Sequence, residues 1–226
     1  MKTKKVVLFI VEGITDKTAL GAILSKLVQN NKVKFYICNK DITSDNGSNA
    51  SNAKIKVNEC VKYFMNKEIG IRKNDICKIV HLIDMDGAYI TEERVITGNE
   101  EKFIYSEHCI TAKSKEAVLS RNRTKSEVIN TLAFCPTINN IQYRMYYFSC
   151  NLEHVLHNEL NVPDCDKMIL AERFSEDYHL KEDLFMDFIR RTDIAVLGDY
   201  KDSWKFIKVN GNSLKRCSNF HLFFNE

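Results

Sequence analysis

Val6-Val7-Leu8-Phe9-Ile10-Val11-Glu12-Gly13 and, further along, Ile79-Val80-His81-Leu82-Ile83-Asp84-Met85-Asp86-Gly87 decide the reading of this chain. The first is a continuous apolar run, short and rich in β-branched residues. That is the pattern of a strand covered on both faces in a parallel sheet, and the run over 76–83 reads the same way. Each run stops abruptly on acid and glycine. Between them, Ala19, Leu20, Ile23, Leu24 and Leu27 recur at helical spacing, which predicts an amphipathic helix over 15–30. Thr15 is placed to cap it, with Asp16 in its first turn, where negative charge suits the helix dipole. A second strand is expected over 34–38. A loop rich in Asn, Asp, Ser and Gly follows over 39–52, then a helix over 53–68 with Ile55, Val57, Val61, Phe64 and Met65 as its apolar face. The order βαβαβ defines an α/β fold with parallel strands.

Outward from this half the pattern loosens. Short strands are expected at 103–105 and 109–111. A helix over 115–132 carries a possible break at the polar run 121–125, and a strand covers 144–148. A helix begins at Asn151, holds Leu152, Val155, Leu156 and Leu160 and stops before Pro163; another spans 181–191. The expected organisation is a catalytic domain over 1–160 with a helical C-terminal extension, 161–226, packed on it.

Composition fits a globular chain of 226 residues, with 44% hydrophobic and 28% charged residues. Only 2 Pro and 8 Gly argue against long linkers. The net charge of +3 decides little about partners. The 8 Cys are widely spaced, with no Cys-x-x-Cys pair, and several lie in apolar runs; they read as reduced core thiols. No signal peptide precedes the first strand, and no apolar run approaches the ~20 residues of a membrane span. The expected location is therefore cytoplasmic, with no membrane association.

In an open α/β sheet, ligands sit at the carboxyl ends of the strands. Two strands end here on acids, one on Glu12 and one on Asp84 and Asp86. Alternation along an extended Asp-x-Asp would aim both aspartates to one side. If the strands are neighbours, three carboxylates converge, and a hard divalent cation relieves their repulsion. Gly13 and Gly87 permit a tight turn directly after the acids. Asp16, one helical turn beyond Glu12, is either a further ligand or a plain first-turn charge.

This combination resembles the Toprim domain of topoisomerases, primases and OLD-family nucleases. The resemblance is carried by Val11-Glu12-Gly13-Ile14-Thr15-Asp16-Lys17 and Leu82-Ile83-Asp84-Met85-Asp86-Gly87. It implies a Rossmann-like, mostly parallel sheet flanked by helices. It further implies that Glu12 binds metal or acts as general acid or base, and that Asp84 and Asp86 coordinate Mg²⁺ (or Mn²⁺), with two ions in OLD-type enzymes. The further acid those enzymes carry after the next strand corresponds to Glu153, which is alternatively a first-turn Glu beside the cap Asn151. The catalytic lysine the resemblance implies is assigned to Lys215.

The implied activity is metal-dependent cleavage of DNA or RNA. With no Gly-x-x-x-x-Gly-Lys-Ser/Thr loop in the sequence, the resemblance is closest to stand-alone Toprim nuclease effectors of bacterial anti-phage defence. Several of those work with a separately encoded P-loop ATPase, and a homodimer is compatible with the same class. The alternatives are a non-catalytic Toprim module that binds nucleic acid or partners, as in recombination mediators, and an Asp-x-Asp phosphatase.

Other features read more plainly. His154 and His157 lack the His-Glu-x-x-His spacing of a zinc helix. Ser149 lies in no Gly-x-Ser-x-Gly elbow. Arg121, Arg123 and Lys125 form a basic run that either contacts phosphates or is simply solvated. Trp204, Phe206 and Leu214, interleaved with cations, are either a stacking platform or core.

Overall fold

A computed structural model describes residues 5–28, 31–38 and 41–225. Positions 29–30 of the first expected helix, 39–40 of the expected loop, the basic start 1–4 and residue 226 lie outside the described residues. In chain order the elements are β1 (Val6–Val11), α1 (Ile14–Leu27), β2 (Lys32–Ile37), α2 (Ala53–Lys67), β3 (Ile76–Asp84), β4 (Val95–Thr97), β5 (Ile104–Tyr105) and β6 (Ile110–Ala112). There follow α3 (Lys115–Leu132), β7 (Thr137–Ile138), β8 (Ile141–Ser149), α4 (Leu152–His157), α5 (Asp164–Asp177), α6 (Glu182–Ile189), α7 (Tyr200–Phe206) and β9 (Cys217–Ser218).

The main sheet runs β2-β1-β3-β8-β7, with β9 also on β8. β1 pairs in parallel with β2 and β3, and β3 pairs in parallel with β8. The short β7 and β9 close the far edge antiparallel. This is the expected α/β architecture, a mostly parallel sheet flanked by helices. All six residues of β1 are buried, which explains the unbroken apolar run. Val6, Leu8 and Ile10 pack on one face with α2, α3 and Trp204. Val7, Phe9 and Val11 pack on the other with α1, α5 and α6. Each such side chain taken from water contributes about 1.5–3 kcal/mol. A small second sheet, β4-β6-β5, covers a third apolar cluster holding Ile110, Val118, Cys150 and Leu214.

Several expectations change in detail. α1 is capped by Gly13 rather than Thr15: the Asp16 carboxylate accepts a hydrogen bond from the Gly13 N–H at 3.0 Å. α3 runs through 121–125 without a break, because Asn122 and Lys125 lie on its buried stripe with Val118, Val128, Ile129 and Leu132. The helix after Asn151 ends at His157, well before Pro163. The segment beyond 160 is not only helical, since β9 joins the main sheet. Among the described residues, no helix is long and apolar enough to cross a membrane.

Candidate functional site

The strand order places β1 between β2 and β3, so the chain leaves β1 toward one side and returns on the other. Crevices at such a reversal, outside the carboxyl ends of the strands, are where open α/β sheets hold ligands. Glu12 follows β1 and Asp84 ends β3, and these strands are neighbours. The Asp84 N–H donates to Glu12 Oε1 at 3.2 Å, which ties the two strand ends together. Glu12, Asp16, Asp41, Asp84, Glu153 and Lys167 line one cleft of about 280 Å³ there. Asp16 comes from the first turn of α1 and Glu153 from α4; both are buried. The cleft thus gathers four of the acids singled out in the sequence.

Asp86 sits differently. β3 ends on Asp84, and Asp86 lies in the following turn with a left-handed backbone, φ 48°. Strand alternation therefore does not aim it. Its carboxylate accepts from the ammonium of Lys125, which also donates to Asp41 Oδ2 at 2.8 Å and stands 4.0 Å from Glu12 Oε1. The Lys125 side chain is 0% exposed. Burial alone would lower its pKa, but Asp41, Asp86 and Glu12 hold it well above the ordinary lysine value. Burial likewise works against ionised Asp41. Lys125 and the hydroxyls of Ser44 and Thr43 outweigh that and hold the carboxyl well below its usual range.

The turn that carries Asp86 is fixed from several directions. The N–H groups of Met85, Asp86 and Gly87 donate to the carbonyls of Phe148, Cys150 and Ser213. Arg121 donates to the Asp86 carbonyl at 2.6 Å and to the Tyr105 hydroxyl, and Asn122 donates to the Gly87 carbonyl. Gly87 has φ 69°, and a Cβ there would stand 2.8 Å from Leu214 and 2.9 Å from Ile110. Glycine is required both for the conformation and for the close approach.

The remaining acids carry their charge at a cost. Burial pushes Asp84 well above the usual carboxylate range, and Glu12, Asp16, Asp86 and Glu153 add to the shift. Asp84 Oδ1 is buried with no hydrogen-bond partner. Glu12 is raised by burial and by Asp41, against the pull of Lys125. Since 20% of its side chain still reaches the cleft, water moderates that shift. Burial raises Asp16 to about 7, with the Gly13 N–H opposing and Glu153 reinforcing.

Of the other residues read from sequence, Lys215 is exposed and is not among those lining the cleft. It follows a short 3₁₀ turn, Asn212–Leu214, that buries Ser213 and Leu214 and leaves Lys215 outside. The cation among the acids is Lys125, and Lys167 of α5 stands at the cleft lining. His154 is packed, its Nδ1 accepting from the Cys150 N–H, and the His157 ring meets Phe174. The Ser149 hydroxyl is buried and donates to the Asn212 carbonyl. Trp204 and Leu214 are core.

Asp41 and Lys125 are the residues that sequence reasoning missed as a pair. A signal existed for the lysine: Val118, Asn122, Lys125, Ile129 and Leu132 recur at helical spacing, which puts two polar residues on an apolar stripe. Comparison with family models, with characterised proteins and with solved structures gives no match. The cleft is therefore read from its own chemistry.

Proposed function

We propose that the cleft is a Mg²⁺-dependent phosphodiesterase site of the Toprim kind, and that the chain is a nuclease. The observation that carries this reading is the buried, unpartnered Asp84 oxygen, set beside Glu12 and Asp16 at the reversal of the sheet. A buried carboxylate oxygen without a donor calls for a cation. An all-oxygen donor set suits a hard divalent ion. Among the described residues, no three His, Cys, Asp or Glu side chains close into a cage. Mg²⁺ keeps several waters and shares its coordination with substrate phosphate oxygens, so the site proposed needs only two side-chain ligands per ion.

In this reading Asp84 and Glu12 hold the first ion, and Asp16 with Glu153 hold a second. Bound there, such ions supply an activated water and neutralise phosphate charge. Glu12, already inclined to take a proton, serves as ligand or general base. Lys167 meets the negative charge of the incoming phosphate. Lys125 positions the site by fixing Asp41, Asp86 and Glu12 around one ammonium. The resemblance extends the proposal to an anti-phage effector that acts with a separately encoded ATPase.

The test is cleavage of plasmid, single-stranded DNA and RNA by the full chain, with Mg²⁺ and with chelator. Glu12→Gln and Asp84→Asn are expected to lose about a hundredfold or more of the activity. Cleavage that survives both substitutions overturns the proposal. Binding without cutting, even with Mn²⁺ and an ATPase partner, favours a non-catalytic module.

A further inference from the structure

We propose that Cys38 and Cys60 are a redox-modification site, closing reversibly to a disulfide in response to a small-molecule disulfide oxidant. Cys38 directly follows β2, and Cys60 lies midway along α2. Their sulfurs are already 3.2 Å apart. A disulfide needs about 2.05 Å, so the sulfurs have only about 1.2 Å left to close. Most of the other cysteines are engaged otherwise: the thiols of Cys77, Cys135 and Cys217 donate to backbone carbonyls, and Cys109 pairs with Ser106. Among the described residues, this pair alone sets sulfur against sulfur.

The pair is also reachable. An open pocket of about 300 Å³ is lined by Tyr36, Cys38, Lys56, Glu59, Cys60 and Tyr63. Cys38 is buried and Cys60 is partly exposed. The hydrogen bond with Cys38 favours the Cys60 thiolate, although burial opposes it. Cys60 is thus the attacking sulfur and Cys38 the resolving one.

The chemistry balances with an oxidant of the type RSSR. The Cys60 thiolate attacks one sulfur, the S–S bond of the oxidant breaks, and the first RS⁻ leaves and takes up a proton. Cys38 then attacks the Cys60 sulfur of the mixed disulfide, expels the second RS⁻ and gives up its own proton. Two thiol hydrogens leave the protein, two RSH form, and one S–S bond has been exchanged for another.

The consequence falls on the segment between the two cysteines. It contains the Asp41 loop, where Asp41 bonds Thr43 and Ser44 and Lys56 bonds Ser48. A covalent ring closed over 38–60 restricts the opening of that loop. This inference stands apart from the nuclease reading, because its test reads mass and exchange rather than cleavage.

The test uses the full chain as Cys165→Ser, which removes the exposed thiol, treated with oxidised glutathione. The expected product has lost two hydrogens and yields one peptide pair joined through Cys38 and Cys60. Hydrogen exchange over 41–52 slows about tenfold or more, and dithiothreitol restores it. Adding Cys38→Ser removes the resolving thiol, so one glutathionyl group is trapped on Cys60. Overturning results are a linkage elsewhere, no loss of hydrogens while Cys38 and Cys60 remain alkylatable, or no adduct at Cys60 in the Cys38→Ser chain.

Discussion

Asp41 and Asp16 flank the same cleft and are the same residue type, yet the fold treats them in opposite ways. Asp41 shares the ammonium of Lys125 with Asp86 and is held ionised. Asp16 lies with Asp84 and Glu153, where burial and mutual repulsion raise its carboxyl to about 7. Burial works against the charge in both halves. What differs is how closely a counter-ion is held. One half is neutralised by a buried lysine of α3; in the other, Lys167 offsets burial and repulsion only in part, and that is where the proposed cation would bind.

The most severe way to break the comparison is Lys125→Met, which keeps the stem's bulk and removes the ammonium. Asp41, Asp86 and Glu12 then face one another without compensation. Loss of one partner from a buried ion pair costs about 3–5 kcal/mol, so urea unfolding at neutral pH should show destabilisation on that scale. An unchanged unfolding midpoint would mean that Lys125 neutralises nothing.

Titration sharpens the comparison with a smaller effect. Asp16 binds its proton more tightly in the folded chain, near 7 against an ordinary 3.8. Between those values the folded state holds more protons than the unfolded state, so stability falls as pH rises through the window. The limiting slope for one group is about 1.4 kcal/mol per pH unit. Metal-free chain should therefore melt lower at pH 7 than at pH 5. Asp16→Asn should flatten the trend, and Mg²⁺, which favours the ionised carboxylate, should raise the melting temperature chiefly at the upper end.

The mildest effect is expected at Asp84→Asn. Removing one charge from the partly compensated half relieves repulsion, and metal-free chain should gain about 1 kcal/mol. Calorimetry of the same variant should show Mg²⁺ binding weakened about tenfold or more. A variant that loses stability instead would place Asp84 in the compensated group.

The sheet was legible in the sequence wherever burial on both faces leaves an unbroken apolar run, as in β1 and β3. Acids at the ends of those runs pointed to Glu12 and Asp84 directly. The counter-ion was only faintly legible: Lys125 falls on the apolar stripe of α3, but it also sits inside the polar run Arg121-Asn122-Arg123-Thr124-Lys125, which resembles any solvated helix face. Asp41 was hidden for a related reason: its loop has the polar composition of an ordinary surface turn, and only tertiary packing brings it to α3. The helix α5 also escaped notice, since it buries little beyond Ala171 and Phe174 and so has almost no apolar stripe. Asp86 was found as a residue but misaimed, because β3 stops two positions before it.

The turn holding Asp86 has a consequence for the order in which the protein is made. Gly87 N–H is satisfied by the Ser213 carbonyl, Leu214 packs on Gly87, and β9 seals the edge of β8. A ribosome that has released the chain through α4, which carries Glu153, has emitted every acid in the cleft, but not the residues that lock the turn between them. The acidic centre is therefore a late product of translation, complete only after the chain beyond residue 210 has emerged and folded back.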